Sequence, residues 1–401
     1  MDQTICLNMI VKDERHVIGR CLESVKDLID HWVIVDTGSV DGTPELITEL
    51  LAGIPGELHY RPWRDFGTNR SEALELARGK ADFMLIIDAD EQLVVPDGFR
   101  WPRLDLDYYD VLHANGVAEN VFWRRSLLRD SCDWRYVGVL HEYPACDVER
   151  PGGRLDGPCI VGYFDGGRSQ VTQHEKYSND ARVLERALQD EPDNDRYVFY
   201  LAQSHRDAGH FEQALAAYEH RITMGGWDEE VWYSMYQCAC IAERLNLDEA
   251  VVIHLYVRAY DFRPSRAEAL GNLARYLREH NHMASARLFA AAGLEIEKPT
   301  DTLFLDREYY TWRCLDELSV ADYWLGNYAN SADACEELLE WSEVPEDQKP
   351  RIKANLDFAL QKLSTDVPSS AKHALQGARP VGHSSRGRRP MWPADPSAPL
   401  Q

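Results

Sequence analysis

Asp88 and Asp90 stand two residues apart at the end of an apolar run, Leu85-Ile86-Ile87, and Glu91 follows directly. Carboxylates at the C-terminal end of a buried strand lie at the sheet edge where open α/β folds bind ligands. Such oxygens are hard ligands for Mg²⁺ or Mn²⁺, and the metal is completed by phosphate oxygens rather than by a full protein cage. A cation there would neutralise charge on a departing diphosphate. Taken alone, the pair also reads as a solvated acidic turn.

Two further strand ends carry polar groups. Trp32-Val33-Ile34-Val35 runs into Asp36, then into Thr37-Gly38-Ser39-Val40-Asp41-Gly42-Thr43. Asp36 is placed to accept hydrogen bonds from a base or ribose, and the glycines allow close backbone approach. Asp41 reads equally as an Asx-turn residue. The first strand ends in Ile10-Val11-Lys12-Asp13-Glu14, so three strand ends deliver polar groups to one edge.

These groups must be positioned by a framework, and the pattern supplies one. Residues 4–11, 32–35 and 83–87 are short, apolar and β-branched-rich, and read as buried strands of a parallel sheet. Residues 17–28, 44–51 and 69–78 have helical spacing; the second begins with Thr43 as N-cap and Pro44 at N1, and Gly79 closes the third. Strand and helix alternate as in a doubly wound α/β fold. From 176 to 364 helix dominates. Gly209-His-Phe-Glu-Gln-Ala214 recurs as Leu245-Asn-Leu-Asp-Glu-Ala250, Asn281-His-Met-Ala-Ser-Ala286 and Gly326-Asn-Tyr-Ala-Asn-Ser331, near the period of tetratricopeptide hairpins. A generic helical bundle is the alternative. Residues 365–401 are rich in Pro, Ser, Gly and Arg, and read as a disordered tail.

Composition narrows the class. The chain has 401 residues, 44 % of them hydrophobic, with 43 Lys and Arg against 67 Asp and Glu, a formal charge of −24. That balance repels nucleic acid and anionic membrane at long range. The 9 cysteines show no zinc or redox spacing, which points to reduced thiols. With no signal-peptide pattern and no apolar stretch of membrane length, the expected location is the cytosol. Phosphate-loop, dinucleotide and nucleophile-elbow motifs do not occur.

Met9-Ile-Val-Lys-Asp-Glu14, Val33-Ile-Val-Asp-Thr-Gly-Ser-Val-Asp-Gly-Thr43, Asp65-Phe-Gly-Thr-Asn-Arg-Ser-Glu-Ala-Leu74 and Asp88-Ala-Asp-Glu91 together resemble family-2 glycosyltransferases. More narrowly, they resemble the bacterial and phage branch that joins this domain to tetratricopeptide-like helices and is related to peptide S-glycosyltransferases. The resemblance implies an α/β GT-A (Rossmann-like) nucleotide-sugar-binding domain over residues 1–175, followed by an all-α repeat domain over 176–364. It implies a UDP-sugar donor and Mn²⁺ or Mg²⁺. Asp36 would bind uracil or ribose with Val11 lining the base pocket, Asp90 would ligate the metal, and Asp88 would contact ribose or a metal-bound water. Arg70 would lie near the donor, a guanidinium suiting phosphate or sugar hydroxyls. His174 is expected as a further metal ligand from the domain junction, and Lys176 and Arg182 as groups facing the diphosphate. A structural histidine is the other reading of His174.

An inverting transfer needs a carboxylate to deprotonate the acceptor. Glu142, closing Arg135-Tyr-Val-Gly-Val-Leu-His141, is one candidate, and Glu91 and Asp133 are its rivals. The acceptor is expected to be a protein or peptide docked on the helical region, with Trp227, Trp232, Tyr233 and Tyr236 lining a groove or forming core. A non-catalytic scaffold, a nucleotidyltransferase, and transfer to a modified DNA base or cell-surface glycan are the competing readings.

Overall fold

The structure is a computed structural model and describes residues 3–115 and 121–365; the expected tail lies outside these from residue 366 on. The chain forms two compact units. One holds Met1–Pro264 with Pro299–Leu305, and the other holds Ser265–Lys298 and the chain from Asp306 onward.

The first unit opens with a mixed sheet. Its strands are β1 (Ile5–Val11), β2 (His31–Asp36), β3 (Gly56–Tyr60), β4 (Phe83–Ile86), β5 (Glu91–Val94), β6 (Tyr108–Asn115), β7 (Val121–Arg129) and, after a two-stranded ribbon β8 (Arg135–Val137) and β9 (Tyr143–Ala145), β10 (Gly152–Gly162). Their order is β3-β2-β1-β4-β7-β6-β10-β5. The segment β3-β2-β1-β4 is parallel; β1, β2 and β4 are the three expected strands, and β3 adds an edge strand that was not expected. Beyond it β7 runs antiparallel to both β4 and β6, and β5 antiparallel to β10. The purely parallel expectation therefore covers half the sheet; the other half is a mixed extension without crossover helices.

Alternation places neighbouring side chains on opposite faces. Leu7, Met9, Ile34 and Leu85 pack under α1 (Ile18–Val25) and α2 (Thr43–Leu50). Cys6, Val33, Met84 and Ile86 pack under Leu74 and Ala77 of α3 (Phe66–Ala77) with Trp134. With both faces covered, β1, β2 and β4 must be continuously apolar, and this is why they were legible; the edge strand β3, Gly-Glu-Leu-His-Tyr, is not. The cap of α2 differs from expectation by one residue. Gly42, at φ 86°, is the N-cap, while the Thr43 hydroxyl donates to Asp41 at 2.5 Å and accepts from the Glu14 N–H at 2.9 Å.

The same unit continues into helices α4 (Gln173–Asp190), α5 (Asp195–Asp207), α6 (Phe211–Met224), α7 (Asp228–Arg244) and α8 (Glu249–Phe262). The second unit contains α9 (Glu268–Glu279), α10 (Met283–Leu294), α11 (Arg313–Trp324), α12 (Tyr328–Glu340) and α13 (Lys349–Thr365). The sequence repeat has a physical basis. Gly209, Asn246, Asn281 and Gly326 all take positive φ after a first helix, the usual left-handed ending that glycine and asparagine tolerate. The fourth residue of each second helix, Ala214, Val252, Ala286 and Ser331, is buried. In the second repeat the buried position is therefore Val252, not the exposed Ala250. Trp232 is 0 % exposed and stacks on Tyr236, and Tyr233 packs against Phe199. These rings are core; Trp227 at the start of α7 is the exposed one. No helix among the described residues is long and apolar enough to cross a membrane, and all nine cysteines are free thiols.

Candidate active site

The four sequence motifs meet at the C-terminal edge of β1, β2 and β4. The loops after β1 and β2 are stitched together: the Asp13 N–H donates to Ser39 Oγ at 2.9 Å, the Val40 N–H to Asp13 Oδ1 at 2.8 Å, and the Arg15 N–H to Asp41 Oδ2 at 2.9 Å. Asp36 is 2 % exposed. Its carboxylate accepts from the Gly38 and Ser39 N–H groups at 3.1–3.3 Å, so it shapes this loop. Helix α3 starts with Asp65 capping the Thr68 N–H at 2.7 Å. Buried Asn69 ties down the preceding loop, accepting from the Arg64 N–H at 2.9 Å and donating to the Pro62 carbonyl at 3.1 Å.

That anchoring aims Arg70 at two carboxylates. Its Nε donates to Glu142 Oε1 at 2.7 Å and its Nη2 to Asp88 Oδ1 at 2.6 Å. A second guanidinium, Arg124 of β7, donates to Glu91 Oε2 at 2.8 Å and lies 3.8 Å from Asp88 Oδ2. Glu91 Oε2 also accepts the Asp88 N–H at 2.9 Å, and Glu91 Oε1 lies 3.6 Å from His113 Nδ1. Glu91 is thus a buried member of an ion-pair network rather than an open base, and Glu142 is the candidate facing a cavity. Asp133, the third rival, pairs with Arg78 at 3.0 Å and is 81 % exposed.

The two aspartates of the pair have opposite electrostatics. Burial works to raise the Asp88 carboxyl, but Arg70 and Arg124 outweigh it and hold the group below the usual range. Asp90 is raised by burial, then by Asp88 and Glu91. Glu14 is pushed up to about 7, chiefly by burial and further by Asp90, against the Gly167 N–H that it accepts. Both groups converge on one turn: a Cβ added to Gly166 would lie 3.0 Å from Glu14 Oε2 and 3.1 Å from Asp90 Oδ2. Two hard oxygens in a negative setting suit a divalent cation that takes its other ligands from phosphates. No cluster of three or more His, Cys, Asp or Glu side chains able to hold a metal occurs among the described residues. His174 therefore joins Asp90 in no such cluster; its Nδ1 is hydrogen-bonded to the Ala208 carbonyl at 2.8 Å, and its ring meets His210 edge-on.

Two cavities flank the network. One, of about 420 Å³, has an apolar wall that includes Val11, Trp63, Phe66 and Leu140, with Lys176 among its polar groups. Val11 and Lys176 thus share a cavity. Arg182 instead donates to Asn179 at 2.8 Å. The other cavity, about 560 Å³, is lined by Asp88, Arg70, Glu142, Trp123, Tyr136 and Arg124 among others. Burial pushes the Tyr136 hydroxyl up to about 12, so it is a neutral hydrogen-bonding group there. Sequence reasoning missed Arg124 and Glu14. Arg124 lies in a strand whose polar run, Trp123-Arg124-Arg125-Ser126, resembles an exposed edge; β7 instead lies between β4 and β6, with Arg124 opposite Val111 of β6.

Residues 6–95 match the family model described as Glycosyl transferase family 2. A TPR repeat-containing protein of Synechococcus elongatus is 27 % identical over 300 residues, covering 70 % of this chain and 73 % of that protein. Lipopolysaccharide core biosynthesis glycosyltransferase LpsC of Rhizobium meliloti is 39 % identical over 90 residues, which is 22 % of this chain and only 30 % of LpsC. Among solved structures, a tetratricopeptide repeat protein from Parabacteroides merdae aligns with 48 % of this chain and 70 % of its own, at 17 % identity and a TM-score of 0.36. This chain carries a glycosyltransferase family 2-like domain in its N-terminal part, followed by a helical region like tetratricopeptide repeats.

Proposed function

We propose that the protein transfers a sugar from a nucleotide-sugar donor, of the UDP type, to a macromolecular acceptor, a protein or peptide engaged through the helical region. The observation that carries this reading is the shared wall of the two cavities. Residues Val139 and Leu140 line the apolar cavity, whereas Glu142 lines the one that holds Asp88. A base with an apolar face and a polar diphosphate suits the first, whose Lys176 offers a cation. An acceptor in the second would meet Glu142 beside the sugar.

In that arrangement Glu142 takes the proton of the acceptor hydroxyl or thiol while the freed electron pair attacks the anomeric carbon. The bond from that carbon to the diphosphate breaks, and its electrons leave with the nucleoside diphosphate. Arg70 holds Glu142 and Asp88 in register, and oriented groups of this kind supply much of a transfer's rate. Asp90, with Glu14 across Gly166, would hold Mn²⁺ or Mg²⁺, which when bound neutralises charge on the diphosphate. Attack from the face opposite the leaving group would make the transfer inverting.

Donor turnover is the test. Incubation with a panel of UDP-sugars and Mn²⁺ is expected to release UDP slowly, water standing in for the acceptor, and Asp90→Ala to abolish the release. If the purified chain neither binds nor hydrolyses any of these donors, it is an interaction scaffold with a decayed transferase domain.

A further inference from the structure

The wall between the two cavities, residues 139–142, lies in the connection from β8 to β9 and has no strand partner of its own. At its centre His141 takes φ 51°. A left-handed backbone costs a residue with a side chain about 1 kcal/mol or more. Something outside the segment must therefore fix it.

Helix α5 does so at successive positions. Tyr197 clusters with Leu140 and with Leu184 of α4. Arg196 Nη2 donates to the His141 carbonyl at 2.8 Å. The Tyr200 ring stacks on the His141 imidazole, with centroids 3.8 Å apart and planes at 11°. The Arg196 guanidinium also lies over the rings of Tyr143 and Tyr200, at 5.1 and 4.9 Å. On the opposite flank α3 meets the segment, with the Phe66 N–H donating to the Val139 carbonyl at 3.3 Å. Arg196 is not among the residues lining either cavity, so its reach to the chemistry is through the backbone of His141.

We infer that Arg196 is a positioning residue for Glu142, and that α5 belongs functionally to the transferase rather than to the repeats that follow it. This rests on the reading of Glu142 as the base. The argument is one of leverage. Arg196 fixes the carbonyl of the residue immediately before Glu142, in the turn whose unusual backbone sets the direction of the Glu142 side chain. A displacement of about 1 Å at a reacting group can lower a rate about a hundredfold. α5 is also the first helix of the first repeat hairpin, so an acceptor docked on the helices would bear on the element that aims the base.

The test uses the full chain with Arg196→Ala and Arg196→Lys. UDP release from the donor panel is expected to fall at least about tenfold in Arg196→Ala, with the Kd for UDP and Mn²⁺ by calorimetry unchanged within about twofold. Arg196→Lys, which keeps a charged donor but loses the planar fork, should recover part of the rate. Hydrogen exchange of the amides of residues 138–143 should quicken in Arg196→Ala while that of β1, β4 and α7 stays as in the parent. Equal losses in turnover and in UDP binding, or exchange that quickens across the whole unit, would overturn the inference by making Arg196 a general structural residue. A parent protein that turns over no donor removes the Glu142 reading itself, and unchanged exchange at 138–143 in Arg196→Ala would separately sink the claim that this side chain holds the segment.

Discussion

Arg70 joins Glu142 to Asp88 through one guanidinium, at 2.7 Å from Nε and 2.6 Å from Nη2. Residues 72 and 18 positions away in the chain are thereby fixed at one point. Removing this group leaves carboxylates with little solvent, since Glu142 is 12 % exposed and Asp88 31 %. Arg70→Ala is expected to destabilise the fold by about 3 kcal/mol, the low end for breaking a buried pair, and to abolish UDP release. Arg70→Lys keeps the charge but cannot span both partners; it should restore most of the stability and little of the turnover. Urea unfolding beside donor turnover separates the two effects.

Asp90 behaves oppositely. Burial and the neighbouring Asp88 and Glu91 charges resist its ionisation, so the folded protein is strained by this carboxylate when no cation is present. Asp90→Asn should leave the melting temperature at pH 7.5 equal to the parent's or higher, while Mn²⁺ no longer strengthens UDP binding. A melting scan and a UDP titration with and without Mn²⁺ check it; a clear loss of stability would contradict the electrostatic account.

Glu14 gives a pH dependence with a definite sign. Its folded value is about 7 against an ordinary 4.5, so the folded state holds its proton to higher pH than the unfolded state does. The associated stability is complete below pH 4.5, declines as pH rises through 7, and is gone above it. Glu14→Gln, which still offers an acceptor to the Gly167 N–H, should flatten this part of the profile and raise stability relative to the parent above pH 7. Melting temperatures between pH 5 and 8 are the measurement.

Gly67 permits a close approach. A Cβ at this position would lie 2.2 Å from the Gly138 carbonyl oxygen, a backbone atom that cannot swing aside. Gly67→Ala should push α3 away from the cavity wall, at a cost of roughly 1–3 kcal/mol, and reduce turnover more than UDP affinity. Thermal melting and donor kinetics report the two consequences.

The legible part of this fold is the part whose sequence obeys local rules. β1, β2 and β4 are covered on both faces, so their apolar runs are unbroken. The helices announce themselves by spacing and by turn residues such as Gly79, Gly209 and Gly326. β6, β7 and β10 were not legible, because their residues satisfy long-range pairing, parallel between β6 and β10 and antiparallel between β6 and β7, rather than any local period. Arg124 and Arg125 look like an exposed pair in sequence, yet Arg125 lies 3.6 Å over the Tyr108 ring and Arg124 closes on Glu91.

The candidate site divides the same way. Residue types at strand ends pointed to Asp88 and Asp90 as candidates, since a sheet edge is a local consequence of where a strand stops, whereas Val11 came only with the family resemblance. Glu142 was readable only as a candidate among three, because what distinguishes it from Glu91 and Asp133 is partner and exposure. Asp36 was readable as a strand-end acid, but its commitment to the Gly38 and Ser39 amides depends on how the following loop turns. Glu14 was passed over because its neighbour across the site, Asp90, is joined to it only by the turn at Gly166.

The contact between Gly67 and the Gly138 carbonyl places the register of the whole centre on a position with no functional group. Such a position is invisible to any survey for acids, bases or nucleophiles, yet a single methyl there would press on the cavity wall while leaving every charged residue intact. Relatives that have kept the acidic motifs but lost transfer chemistry should be sought first by reading this one letter.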